Sequence, residues 1–76
     1  MSRQAFITTL QRRLSRVRYA CNLADTQFWS VGIFGMISGA AVLGAIEPAE
    51  RDRLDDLTAN AQNIREAELR AQGVFA

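Results

Sequence analysis

From Thr26 to Ile46 the chain carries no charged residue, and this run lies within a protein of only 76 residues. Wound as a helix, such a run is apolar nearly all round, so it must be buried nearly all round. A domain this small buries only ~60% of its unfolded surface and usually needs a staple or a partner. One Cys excludes an intrachain disulfide, and the absence of His removes the usual zinc-ligand spacings. The staple is therefore other protein chains or a membrane.

The net charge of +1 averages over a polarised chain. Residues 1–24 hold five Arg and no acid, residues 25–46 hold Asp25 alone, and residues 47–76 hold four Arg against seven acids. The basic part reads as an amphipathic helix over about 2–23, with Ser2 as N-cap. Its apolar positions Ile7, Leu10, Leu14, Val17, Cys21 and Ala24 step 3, 4, 3, 4, 3, and Phe6 widens the stripe. A heptad seam of this kind wants another helix at a shallow crossing angle. Asn22 and Asp25 mark its end and the next start.

The central helix is expected over about 26–45, capped by Asp25 or Thr26. Gly32, Gly35 and Gly39 fall within about 60° of one another on a helical wheel, a smooth stripe that admits a neighbouring backbone. Trp29, Ile33, Met36, Ala40 and Leu43 line an adjacent face. Glycine costs ~1 kcal/mol relative to Ala inside a helix, which close packing must return. The third helix is expected over about 48–72. Pro48 suits the first helical position, and Glu47, Glu50 and Asp52 sit at the positive end of the dipole. Leu54, Leu57, Ala61 and Ile64 continue the 3, 4, 3 stepping. Glu47–Arg51, Arg51–Asp55 and Glu66–Arg70 are i,i+4 pairs of opposite charge. Gly73 suits the C′ position, with Val74 or Phe75 folding back on the last turn. The expected fold is all-α: one domain over 1–76, three helices in a compact unit that oligomerises through the Gly-striped central helix.

A membrane span over about 27–46 is the alternative. The run is about long enough to cross a bilayer, Gly35-Met36-Ile37-Ser38-Gly39 is a GxxxG motif, and the basic start would orient the N-terminus inward. Nine of residues 28–46 are Gly, Ala or Ser, however, so the run is smooth more than greasy. The flanking seams also need partners that a spanning helix cannot supply from inside the bilayer. No cleavable signal peptide fits, because the apolar run starts too late. The cytoplasm is the expected location, with the inner membrane as the alternative. On either reading a monomer leaves the central helix partly uncovered, so the chain itself is the first expected partner. Leu10, Leu14, Val17, Phe28, Gly32, Gly35, Gly39, Leu54, Leu57 and Ile64 are the interface candidates.

No enzyme, metal or cofactor is expected. Asp52, Asp55 and Asp56 cluster, but an acidic first turn beside Arg51 and Arg53 accounts for them. Cys21, in the seam, reads as a small buried filler. The glycines lie in an apolar helix with no strand before them, so no phosphate loop forms. Arg12, Arg16 and Tyr19 share the face opposite the first seam, with Arg13 and Arg18 flanking. Arg with an aromatic neighbour can hold phosphate oxygens and stack a base, so Arg12, Arg13, Arg16 and Tyr19 are candidates for binding an anion or a partner. A solvated face balanced by the acidic third helix is the plainer reading. Asn60 and Asn63 are candidates for fixing register across an interface.

Three stretches bear a resemblance: Phe6-Ile7-Thr8-Thr9-Leu10-Gln11-Arg12-Arg13-Leu14, Gly44-Ala45-Ile46-Glu47-Pro48-Ala49-Glu50-Arg51, and Asn60-Ala61-Gln62-Asn63-Ile64-Arg65-Glu66. In layout, and in using Arg without Lys beside twelve Ala, the chain resembles the small orphan all-helical accessory proteins of temperate phages and integrative elements of GC-rich bacteria. The resemblance implies a binder that inhibits or sequesters a host protein or a signalling molecule. A single-span membrane protein assembling through GxxxG, and an RNA- or nucleotide-binding module using the basic face, are the alternatives.

Overall fold

The computed structural model describes residues 2–75. They form three helices, α1 (Arg3–Arg18), α2 (Leu23–Val42) and α3 (Pro48–Ala71), with no strand among the described residues. Three polar contacts establish the topology. Arg3 of α1 donates to Glu50 at the start of α3 (Nη1–Oε1 3.1 Å), and Arg65 of α3 donates to the carbonyl of Ala20 just past α1 (2.8 Å). α1 and α3 therefore run parallel. Arg51 near the start of α3 donates to Ser38 near the end of α2 (3.1 Å), so α2 runs antiparallel to both. The result is an up-down-up bundle with short connections.

Local chemistry sets the helix ends. Ser2 Oγ accepts from the amide of Ala5 at 3.1 Å, capping α1 as expected. α1 stops at Arg18 and not near residue 23, because Asn22 in an extended conformation caps α2 instead: its side chain accepts from the Asp25 amide at 2.8 Å. The cap of α2 is thus neither Asp25 nor Thr26. The seam through Cys21 and Ala24 is broken by this chain reversal. Cys21 lies exposed in the turn, not buried as a filler, and Ala24 is exposed on α2. α2 ends at Val42 in a Schellman arrangement. Gly44 at φ +73° donates to Ala41, and Ala45 donates to Ala40. α3 ends the same way, with Gly73 at φ +83° donating to Arg70 and Val74 folding back to Leu69. Of the i,i+4 pairs, Arg51–Asp55 (3.7 Å) and Glu66–Arg70 (3.8 Å) form.

The early end of α2 corrects the span. From residue 27 to Val42 the helix rises only ~24 Å at 1.5 Å per residue, against ~30 Å of hydrocarbon. No helix among the described residues is long and apolar enough to cross a membrane.

The core joins Phe6, Leu10, Leu14 and Val17 of α1 to Ile33 and Ile37 of α2, Ala61 of α3, and Ile46 in the second turn. The buried face of α2 runs Thr26, Ser30, Ile33, Ile37. That of α3 contains Thr58, Ala61 and Leu69. The expected α3 seam is thus rotated. Leu54 remains half-buried, but Leu57 and Ile64 are exposed, and Thr58 and Arg65 take the inward positions. The physical reason is that the inward hydroxyls satisfy themselves. Thr26, Ser30 and Thr58 each donate to the carbonyl four residues earlier, at 2.9, 2.8 and 2.8 Å. Bonded in this way they pack as small apolar groups, and no buried side-chain polar atom among the described residues lacks a partner.

Arg65 closes the α1–α2 turn by holding a carbonyl next to the buried Ala20. A charged hydrogen bond of this kind contributes ~1.5–3 kcal/mol. Arg65→Ala is expected to lower the unfolding free energy by that amount, read as a fall in the urea midpoint with the denaturant slope unchanged. Arg65→Lys should recover only part of it, because Lys lacks the Nε–H donor. An unchanged midpoint would remove this role.

At the other end, the hydrogen bond from Arg3 holds the Glu50 carboxyl below its usual pKa. A depressed carboxylate stabilises the fold above its unfolded pKa, and that contribution is lost as pH falls through the folded value. The wild type should therefore lose more melting temperature than Glu50→Gln on acidification below about pH 4. Parallel curves would remove the assignment. At neutral pH the exposed pair contributes little.

Candidate binding surfaces

Among the described residues, nothing covers the face of α2 opposite Ile33 and Ile37. Phe28 is 69% exposed, Val31 71% and Val42 82%, with Gly32, Gly35 and Gly39 exposed between them. A Cβ built on any of these three glycines would meet no atom within 4 Å. No contact inside the chain therefore requires them to be glycine. Leu43, 85% exposed, extends the patch at the helix end. From Phe28 to Leu43 the surface carries no charge of its own, with Asp25 one turn before it and Arg13 of α1 at its edge.

The ten interface candidates divide cleanly. Phe28, Gly32, Gly35 and Gly39 lie on this open face. Leu10, Leu14 and Val17 are 3%, 4% and 0% exposed within the chain's own core, so none of the three is free to meet another copy. As a correction, the α1 seam is satisfied by α2 and α3 of the same molecule. Leu54 packs against the edge of that core. Leu57 and Ile64 line a separate groove of about 190 Å³ beside Arg18 and Asn60. Asn63 is exposed and does not line that groove.

The basic candidates are brought together only in part. Arg16 places its guanidinium 5.6 Å from the centre of the Trp29 ring, a cation–π contact that ties α1 to α2. Trp29 in turn meets Phe28 edge to face at 5.4 Å. Arg13 is half-buried beside Phe28, Trp29 and Gly32, where it walls an open groove of about 670 Å³. Arg12 is exposed, and Tyr19, at 80% exposure, lines a shallow groove with Arg16, Asp25 and Trp29. No ion pair among the described residues involves Arg12, Arg13, Arg16 or Arg18. The four candidates thus form a rim. Arg13 and Arg16 border the apolar face of α2, and Arg12 and Tyr19 lie outside them.

The aromatic rim was not legible in the sequence. Trp29 and Arg16 are thirteen residues apart across a chain reversal, and no periodicity connects them. The Arg65, Arg51 and Arg3 ties were equally invisible, because each joins different helices. Among the described residues no group of three or more His, Cys, Asp or Glu could hold a metal ion. Comparison with protein-family models, with curated proteins and with solved structures gives no match for this chain.

Proposed function

We propose that the chain is a non-catalytic binding protein that works as a homo-oligomer. In this reading it occludes or sequesters a host protein or a small signalling molecule, in the manner of small phage and mobile-element accessory proteins. One observation carries the reading: from Phe28 to Leu43 the outer face of α2 is apolar, uncharged and open. Monomeric proteins seldom expose contiguous apolar patches beyond a few hundred Å². Self-association covers the face, and the Arg12, Arg13, Arg16 and Tyr19 rim then meets the partner. Arg, Trp and Tyr are the residue types that most often anchor interfaces, and all three occur at this rim.

The test is native mass spectrometry and light scattering of the purified chain. A defined multimer supports the reading, and a strict monomer at high concentration overturns it. Arg12→Ala with Arg13→Ala should leave the multimer mass unchanged and abolish retention of whatever partner the wild type carries from a bacterial lysate. Equal retention would leave the rim merely solvated. An RNA- or nucleotide-binding use of the same rim is the second reading. It is favoured by Tyr19, open for stacking beside cations that form no ion pair. Loss of retention after nuclease treatment would select it.

A further inference from the structure

We infer that the occupant of the α2 face is the α2 of a second copy, lying antiparallel across a two-fold axis that passes through Gly35. The inference rests on the proposed self-association and adds its geometry. Phe28, Val31, Val42 and Leu43 are each 69–85% exposed. With the glycine backbone between them they offer on the order of 600–800 Å² per copy, close to the ~800 Å² per partner of a standard stable interface. The charges at its edge, Asp25 and Arg13, are of opposite sign, so an acidic or basic partner would find no net counter-charge there. A second copy finds the same uncharged surface.

The bulk profile along the helix decides the direction. The stripe has Phe28 and Val31 at one end, Val42 at the other, and open glycines at 35 and 39. Reversed about Gly35, position 31 meets 39′ and position 28 meets 42′ (primes mark the second copy). Val31 then enters the space over Gly39′, Phe28 covers Val42′, and Gly35 meets Gly35′ at the closest approach. Phe28, Val31 and Val42 each face a complementary position, which is the self-complementarity a two-fold interface requires, while Leu43 lies past the helix end opposite Gln27′. In a parallel pair Phe28 would meet Phe28′, Val31 would meet Val31′ and Val42 would meet Val42′. Val31 against Val31′ would hold the axes apart at that level and leave the space over the glycines less well filled, and unfilled volume is destabilising.

Charge favours the other direction but is too weak to win. A parallel pair would set the basic α1 on the same side as the acidic α3′. Both helices stand behind α2, roughly 20 Å apart across the interface when neighbouring axes are 8–10 Å apart. That exceeds the ~8 Å screening length at physiological salt. The antiparallel pair also opposes the α2 dipoles. It brings the Arg-rich second half of α1 beside the first half of α1′, where only Arg3 is charged.

Disulfide trapping tests the geometry. Cys21→Ser provides a background without thiols, and Val31→Cys and Gly39→Cys are made in it separately. The open space at Gly39 lets the single chain accept the new side chain. Air oxidation with a copper catalyst should link a mixture of the two variants into a mixed dimer, identified by mass. It should link either variant alone several-fold less. A dimer in which Val31→Cys alone links as well as the mixture overturns the antiparallel direction while leaving self-association intact. A dimer that links in none of the three samples overturns the α2 face as the interface. A chain that light scattering finds monomeric at every concentration overturns the self-association on which the inference rests.

Discussion

Replacing Ile33 with Ala is expected to lower the melting temperature by roughly 10–25 °C, the largest effect of any single core change considered for this chain. Ile33 is fully buried, and it sits where α2 meets the α1 cluster of Leu10, Leu14 and Val17. Removing its outer atoms loses their transfer free energy and leaves a cavity, together ~2–5 kcal/mol. A chain of this size holds only about 4–11 kcal/mol at ordinary stability per residue. The loss is therefore a large share of the total. Ile33→Val should cost ~0.5–1.5 kcal/mol. Val42→Ala, at an 82% exposed site, should change the melting of the dilute monomer little. Circular dichroism melts at low concentration separate these outcomes. If Ile33→Ala melted within a few degrees of wild type, the assignment of this face as the core would fail.

Gly35→Leu is expected to act in opposite directions on the chain and on the assembly. Inside one molecule a Cβ at position 35 meets no atom of the other helices within 4 Å. Leu also restores ~0.8–1.0 kcal/mol of helix propensity that Gly lacks. The dilute monomer should therefore melt at the wild-type temperature or above it. In the assembly the same side chain falls on the two-fold axis, where it would meet its own copy. Overpacking at a close contact costs ~1–3 kcal/mol, and here the cost is taken twice. Light scattering should then fall to the 8.4 kDa of a single chain under conditions where the wild type is larger. An assembly of unchanged mass would remove Gly35 from the interface. A loss of helicity in the dilute chain would contradict the open space around it.

The sequence was most legible where a few neighbouring residues decide the outcome. Ser2, Pro48 and Gly73 act through their own backbone or through amides within one turn, so the starts of α1 and α3 and the end of α3 lie close to expectation, whereas α2 stops early, at Val42. The main misreading concerned residues 19–24. The 3, 4 stepping continues through Cys21 and Ala24, but periodicity carries no information about a chain that turns back. Asn22 beat the pattern because a side-chain oxygen in capping position satisfies an amide that solvent would otherwise have to satisfy.

By itself, the sequence determined that three helices form, that the middle one is uncharged from Thr26 onward, and that some of its surface must be left over in a chain this small. Those properties follow from local propensity, from charge placement and from area, none of which needs the tertiary arrangement. The tertiary structure alone decided which surface is left over. Thr26, Ser30 and Thr58 turn inward because each hydroxyl bonds its own backbone, and Arg65 turns inward to hold Ala20. Phe28 and Val31 consequently face out beside Arg13, and Val42 faces out at the far end of the same helix. Hydropathy alone orders these residues the other way round. Only the packing of α1 and α3 on one side of α2 settles the competition between a satisfied hydroxyl and a larger apolar group.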